Sequence, residues 1–314
     1  MEKVKGDTEF SAWARELQNA WRVKNDIPIG TYKQKQKGGS YKEVELGNYI
    51  EKTFALDKQK NFLTDNICSV TTHALKTKEK GAKISKTRLY TNLLSSQPLA
   101  FNLFGEFSLK HNLPLATEFF CKQFPDRIKK VTKIIFEHSD GRGDCSYTCD
   151  HSAFDVFVEY ISVAGQNEFI GIEVKYAESL NDKPATYKTR YAELTEISGL
   201  FKQNSIENLK AKPIEQIWRD HLLSISHVKH ENKKYADGFF VYLFPKKNQQ
   251  CQDAVDKYIQ QFISFDTTTK KYDEQKTGFY IRHLKEFAAD MKQVCKDEWL
   301  NVFLHRYFND NGKI

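Results

Sequence analysis

AFDVFVEYISVAGQNEFIGIEVKY, residues 153–176, decides the fold. It holds two runs rich in Phe, Val and Ile, residues 153–160 and 169–176, joined by ISVAGQNE with Gly165 and Asn167 as turn formers. β-Branched and aromatic residues bounded by turn residues read as strands, and so short a connection makes a hairpin. Three charged residues stand out in these runs: Asp155 in the first, Glu173 and Lys175 in the second. Residues two apart on a strand share a face, so Glu173 and Lys175 point one way and Val174 the other. Pairing across a turn near residues 164–165 sets Asp155 opposite residues 173–175, and the three charges converge.

Outward from the hairpin the pattern is α/β. Pro114 opens a helix, LATEFFCKQF, that ends before Pro125, and VTKIIFEH supplies a further strand at 131–138. Downstream the periodicity predicts helices over about 187–203 and 213–226 and a strand, GFFVYLFP, at 238–245. A helix near 250–264 and one long C-terminal helix over about 282–308 complete this part. The order helix, three strands, helix, strand implies a mixed sheet: a meander, then a helical crossover to one more strand.

The region before residue 110 reads as mainly helical. Phe10, Trp13, Ala14, Leu17, Ala20 and Trp21 recur at helical spacing, with Asp7 or Thr8 as cap. Residues 27–39, with Pro28, Gly30, Gly38, Gly39 and alternating Lys33, Lys35 and Lys37, read as an exposed loop. A second helix is expected from Gly47 to Phe54 or beyond. Residues 1–110 hold 19 basic and 12 acidic side chains, whereas 111–314 hold 29 of each, so the whole net charge of +7 lies in the first part. ALKTKEKGAKISKTR, residues 74–88, carries six basic residues and one acid. Such a region either grips a polyanion or is simply well solvated.

The 314 residues, with 40% hydrophobic and 28% charged side chains, have the composition of a globular chain able to bury a core. No run approaches the roughly 18 apolar residues of a membrane span, and the start, MEKVKGDTEF, lacks the apolar stretch of a secretory leader. A cytoplasmic protein with free thiols is the expectation for its six cysteines. His138, Cys145, Cys149 and His151 invite a zinc reading, although C-x3-C-x-H is an unusual spacing.

Two carboxylates suit a hard divalent cation such as Mg²⁺, with Mn²⁺ able to substitute. A cation there polarises a phosphoryl oxygen and acidifies water, and a neighbouring lysine orients that water or stabilises the charge that develops. The alternative is a buried salt bridge of Lys175 with either acid, which contributes little net stability because desolvation offsets attraction.

AFDVFVEY, a hairpin and then IGIEVKY resemble the PD-(D/E)XK nuclease superfamily, whose pattern is an Asp on the second core strand and Glu-x-Lys on the third. RLYTNLLSSQPLAFNLFGEF, the acidic stretch before SAFDV, and QIWRDHLL resemble a bacterial group of restriction-endonuclease-like proteins. The resemblance implies a restriction-endonuclease-like αβββαβ core with helical N-terminal and C-terminal additions, residues 1–110 packing on a nuclease-like domain of 111–314. Matched to the family, Asp155 and Glu173 are metal ligands, Val174 offers its carbonyl and Lys175 is catalytic. Glu118, on the helix before the first strand, stands where members often carry a further acid. Phe154 replaces the family's proline.

Arg142, Lys183, Lys188, Arg190, Gln216 and Arg219 are candidates for contacting nucleic acid; Asp150 and His151 lie on the polar, Gly-containing approach to Asp155. The resemblance implies a Mg²⁺-dependent deoxyribonuclease in restriction or antiphage defence, its partner DNA. A homodimer would suit double-strand cutting, and a partner chain would belong to a defence system. The alternatives are a DNA-repair nuclease and a non-catalytic nucleic-acid-binding protein on the same fold.

Overall fold

The computed structural model describes residues 4, 6–36, 39–264 and 277–309. In chain order the N-terminal part comprises α1 (Glu9–Lys24), β1 (Ile29–Lys35), β2 (Tyr41–Ile50), α2 (Lys52–Lys58), α3 (Asp65–Thr77), α4 (Lys86–Thr91) and α5 (Ser96–Phe104). The central part runs α6 (Leu113–Gln123), β3 (Ile128–His138), β4 (Phe154–Ser162), β5 (Asn167–Val174), α7 (Thr189–Ser198), α8 (Ile206–Leu209), α9 (Glu215–Lys229) and β6 (Asp237–Phe244). The chain finishes with α10 (Gln249–Ile259), β7 (Phe279–His283), α11 (Leu284–Val294) and α12 (Glu298–Phe308).

β3 to β7 form one sheet in sequence order. β3, β4 and β5 are antiparallel neighbours, while β5, β6 and β7 run parallel. This is the mixed αβββαβ arrangement the sequence implies, with helical additions at both ends. Gly165 turns the β4–β5 hairpin at φ +78°, a conformation that costs glycine little.

Alternate residues of the strands serve two cores. Val156, Val158, Ile170, Ile172, Val174, Val241 and Leu243 face a cluster that extends from Phe10 to Tyr307 and takes in α1, α5, α6, α11 and α12. Phe157, Phe169, Phe240 and Tyr242 face the other cluster, built on α7, α9 and α10. The N-terminal region is tied in by polar groups as well: buried Arg306 donates to Gln18 Oε1 at 3.1 Å and to the Asn61 carbonyl at 2.7 Å.

Gly171 admits the ring of Phe154. A Cβ at Gly171 would lie 2.3 Å from Phe154 Cε1, and that ring is fully buried. Gly171→Ala is therefore expected to lower stability by about 1–3 kcal/mol through overpacking, measured by urea unfolding. An unchanged midpoint would mean that the ring does not need this space.

Several sequence expectations need correction. Residues 29–50 form a two-stranded antiparallel ribbon, not a loop followed by a helix from Gly47. Both faces of its outer half meet solvent, so it lacks the apolar side that marks a core strand. Lys37 and Gly38 lie outside the described residues. The following helix starts only after Glu51, whose carboxylate accepts from Thr53 N and Phe54 N at 2.9 and 2.7 Å. The helix expected over 187–203 stops at Ser198, where Gly199 takes φ +66°. In place of one long C-terminal helix the chain forms β7, α11 and α12, with an extended break at Cys295 and Asp297. Cys145 and Cys149 are joined in a disulfide rather than free.

Candidate active site

The β4–β5 register pairs Val156 with Ile172, which sets Asp155 beside Glu173 at the end of the hairpin. Asp155 Oδ2 accepts from the Val174 N–H at 2.9 Å. N–H and C=O of one strand residue leave the strand on the same side, so the Val174 carbonyl is on the side of Asp155. Lys175 follows directly, its own N–H donating to the Leu243 carbonyl at 2.9 Å. Its ammonium lies 2.7 Å from Glu173 Oε1 and donates to Gln216 Oε1 at 3.1 Å. Gln216 Nε2 in turn donates to Glu173 Oε1 at 2.8 Å. One amide, from the first turns of α9, thus holds both partners of the ion pair.

These groups are deep: Glu173 is 5% and Lys175 9% exposed. They line a cleft of about 780 Å³. Burial, then the neighbouring Glu173 charge, pushes the Asp155 carboxyl well above the usual carboxylate range, with Lys175 opposing. Burial alone would lower the Lys175 ammonium, but Glu173 and Asp155 outweigh it and hold it above its ordinary value. Burial and then proximity to Glu173 likewise raise Asp220, against Arg219 and Lys175. Were all these acids ionised they would outnumber the single Lys175 charge, which is why burial and mutual repulsion favour the protonated forms of Asp155 and Asp220. Asp155, Glu173 and the Val174 carbonyl offer oxygen donors, the ligand type that a hard divalent cation takes.

A family model for the PD-(D/E)XK nuclease superfamily matches residues 5–309, nearly the whole chain. The chain belongs to the PD-(D/E)XK nuclease superfamily. Its nucleases generally use divalent metals. Neither a curated protein nor a solved structure gives a significant match. The β4–β5 pairing brings together Asp155 and Glu173–Val174–Lys175, the residues that the sequence reading set against the superfamily's Asp and Glu-x-Lys pattern.

Other residues read from the sequence fare differently. Glu118 is on the solvent side of α6, paired with Lys122 at 2.9 Å, and does not line the cleft. Glu137, at the end of β3, does line it, and its carboxyl is raised by burial against the opposing pull of Arg142. Asp220 on α9 is another cleft carboxylate, 3% exposed, with Oδ2 lacking a hydrogen-bond partner among the described residues. Neither acid has a local signature; only their position at strand and helix ends that meet at the cleft identifies them.

Lys183 and Lys188 line the cleft, as do Lys83 and Arg88 from the basic N-terminal segment. Arg219 lines the cleft too, and it, Arg142 and Arg190 are each held by partners within the protein. Arg142 donates to Glu79, to the His151 carbonyl and to the Glu137 carbonyl at 2.7 to 3.1 Å. Arg190 holds the Tyr147 and Ser146 carbonyls at 3.0 and 3.1 Å. Arg219 binds Glu215, Ser152 Oγ and Asp150 Oδ2. Asp150 also accepts from Tyr191 at 2.6 Å and from Thr148 and Ser152, which together outweigh burial and lower its carboxyl. His138 faces Glu79 and Asp140. No zinc site arises from it and the two cysteines: among the described residues no group of three His, Cys, Asp or Glu side chains is placed to hold a metal. No helix among those residues is long and apolar enough to cross a membrane.

Proposed function

We propose that the protein is a Mg²⁺-dependent deoxyribonuclease, Mn²⁺ able to substitute, that acts in restriction or antiphage defence in the cytoplasm. The observation that carries this reading is the Lys175–Glu173–Gln216 network beside Asp155 at the bottom of a lysine-rimmed cleft. Asp155, Glu173 and the Val174 carbonyl would hold the cation. Bound there, it supplies Lewis-acid polarisation of a phosphoryl oxygen and a lowered pKa for water.

The chain's own groups do the rest. Lys175 keeps its proton at Nζ and donates to the attacking water or to the charged oxygens that develop on phosphorus. Gln216 fixes the ammonium and the Glu173 carboxylate relative to each other. Lys183, Lys188, Lys83 and Arg88 attract the phosphate backbone, giving binding that weakens with salt. A homodimer or a defence-system partner chain would extend this unit to double-strand cutting.

The test is cleavage of supercoiled plasmid, linear duplex and single-stranded DNA with Mg²⁺, with Mn²⁺ and with EDTA. Cutting with either metal and none in EDTA is expected. Cutting that persists undiminished in EDTA would overturn the metal-dependent reading.

A further inference from the structure

The outer half of the β1–β2 ribbon belongs to neither core. Its root is fixed. Arg22 of α1 donates to the Gly47 carbonyl at 3.0 Å and to the Ile27 carbonyl at 2.6 Å. The Asn48 side chain accepts from Arg15 at 2.5 Å and donates to Asn92 Oδ1 at 3.0 Å, and the Leu93 N–H donates to the Asn48 carbonyl at 2.9 Å. Beyond this anchorage Lys33, Gln34, Tyr41 and Lys42 are exposed, Tyr41 by 63%. A held root and a bare two-stranded blade make an arm.

The charge on the arm is sorted by position and by face. KQKQKGGSYK, residues 33–42, holds four lysines and no acid. Residues opposite each other in an antiparallel pair, and residues two apart on one strand, share a face. Glu43 pairs with Lys33 and Glu45 with Thr31, so both acids of the ribbon lie on one face, nearer the root. Gln34 pairs with Lys42 and Tyr32 with Val44 on the other face, which carries no acid. That acid-free face leads back toward the cleft. Tyr32 stacks on Tyr49, with centroids 5.7 Å apart and planes at 19°. Tyr49 bridges to Asn92 at the end of α4. Burial raises the Tyr49 hydroxyl above its ordinary value, with Arg15 and then Arg88 opposing, so Tyr49 lies within the field of Arg88, a residue of the cleft.

A blade of this kind needs a groove in its partner. The major groove of B-form DNA admits a two-stranded ribbon. The major groove of A-form RNA is too deep and narrow for side chains to read, and a lone strand offers no groove. Building on the nuclease reading above, we infer that the β1–β2 ribbon is an arm that lies in the major groove of duplex DNA with its Gln34–Lys42 face inward, Lys42 on a phosphate and Gln34 toward the base edges. The acids Glu43 and Glu45 then face away from the phosphates. The arm makes duplex DNA the form in which the substrate is held.

The test measures fluorescence anisotropy in EDTA over a range of salt concentrations. The probes are a labelled DNA duplex of about two helical turns, an RNA duplex of the same sequence and one of the DNA strands alone. The full-length protein is compared with Lys42→Ala, Gln34→Ala and Lys33→Ala. The wild type is expected to prefer the DNA duplex. Lys42→Ala should weaken that binding by about 5- to 10-fold near 0.1 M salt and lower the log–log salt slope by about 0.9, the share of one phosphate contact. Gln34→Ala should weaken it with the slope unchanged. Lys33→Ala, the same loss of charge on the acid-bearing face, should weaken it less than Lys42→Ala. Equal affinity for the DNA and RNA duplexes, tighter binding of the single strand, wild-type binding by Lys42→Ala or Gln34→Ala, or equal losses for Lys33→Ala and Lys42→Ala would each overturn the inference. Because EDTA suppresses cleavage, this readout stands apart from the nuclease reading. Metal-dependent cutting by a protein whose duplex affinity ignores Lys42→Ala sinks the arm alone; the expected binding pattern without cutting of any DNA sinks the nuclease reading alone.

Discussion

Lys175→Ala is expected to lower plasmid cleavage by about 10²- to 10³-fold, the loss typical when a preorganised donor to developing charge is removed. The ammonium is held in one place by Glu173 and Gln216, and its proton is secured by two carboxylates. Lys175→Arg should not restore activity, because a planar guanidinium does not fit a site shaped around a compact ammonium. The substitution to Ala also leaves Glu173 buried without its partner, which costs about 3–5 kcal/mol in comparable buried pairs. Thermal melts of the variant with and without Mg²⁺ separate the two effects. A cation on Asp155 and Glu173 replaces the missing positive charge, so metal should regain part of the stability but little of the rate. Near-wild-type nicking by Lys175→Ala would remove Lys175 from the chemistry.

Asp155→Asn is expected to abolish cleavage and yet raise the metal-free melting temperature at neutral pH. In the folded protein the Asp155 carboxyl titrates above its unfolded value, because burial and the Glu173 charge disfavour the anion. A group shifted upward stabilises the fold fully below its unfolded pKa, about 3.9 for Asp, and that contribution is lost as pH rises through the folded value. Metal-free wild type should therefore lose stability relative to Asp155→Asn as pH rises from about 4 toward 7. The difference between the two proteins isolates this group from other acids. With Mg²⁺ present the order reverses: a ligand that binds only the folded state raises the wild-type melting temperature, and the variant, lacking one carboxylate, gains little. An equal Mg²⁺ shift in both proteins would rule out Asp155 as a ligand.

Much of this was legible along the chain. Phe, Val and Ile at strand spacing, with Gly165 at the turn, are enough to make the β4–β5 hairpin, and acids on such strands are conspicuous because burying them is costly. The outer ribbon was not legible, since a strand pair wetted on both faces shows no apolar alternation. β7 is only five residues long and pairs at the sheet edge with β6, far from it in sequence. That pairing is a tertiary event without a local signal.

The same distinction runs through the site. By itself the sequence determined the hairpin and, with it, the meeting of Asp155, Glu173 and Lys175, because pairing register follows from a local turn. The tertiary structure alone decided which other charges belong with them. Glu118 and Glu137 are both acids near the first core strand, but α6 turns Glu118 to Lys122 and solvent while β3 delivers Glu137 to the cleft. Arg142, Arg190 and Arg219 read along the chain as plain cations, and only packing supplies Glu79, the Tyr147 carbonyl and Asp150 as their partners while keeping Arg219 at the cleft. Gln216 and Asp220 reach the site only because the crossover lays α9 against β6. A charge is recorded in the chain, but whether it is free to act depends on its neighbours, and for these residues distant segments provide them.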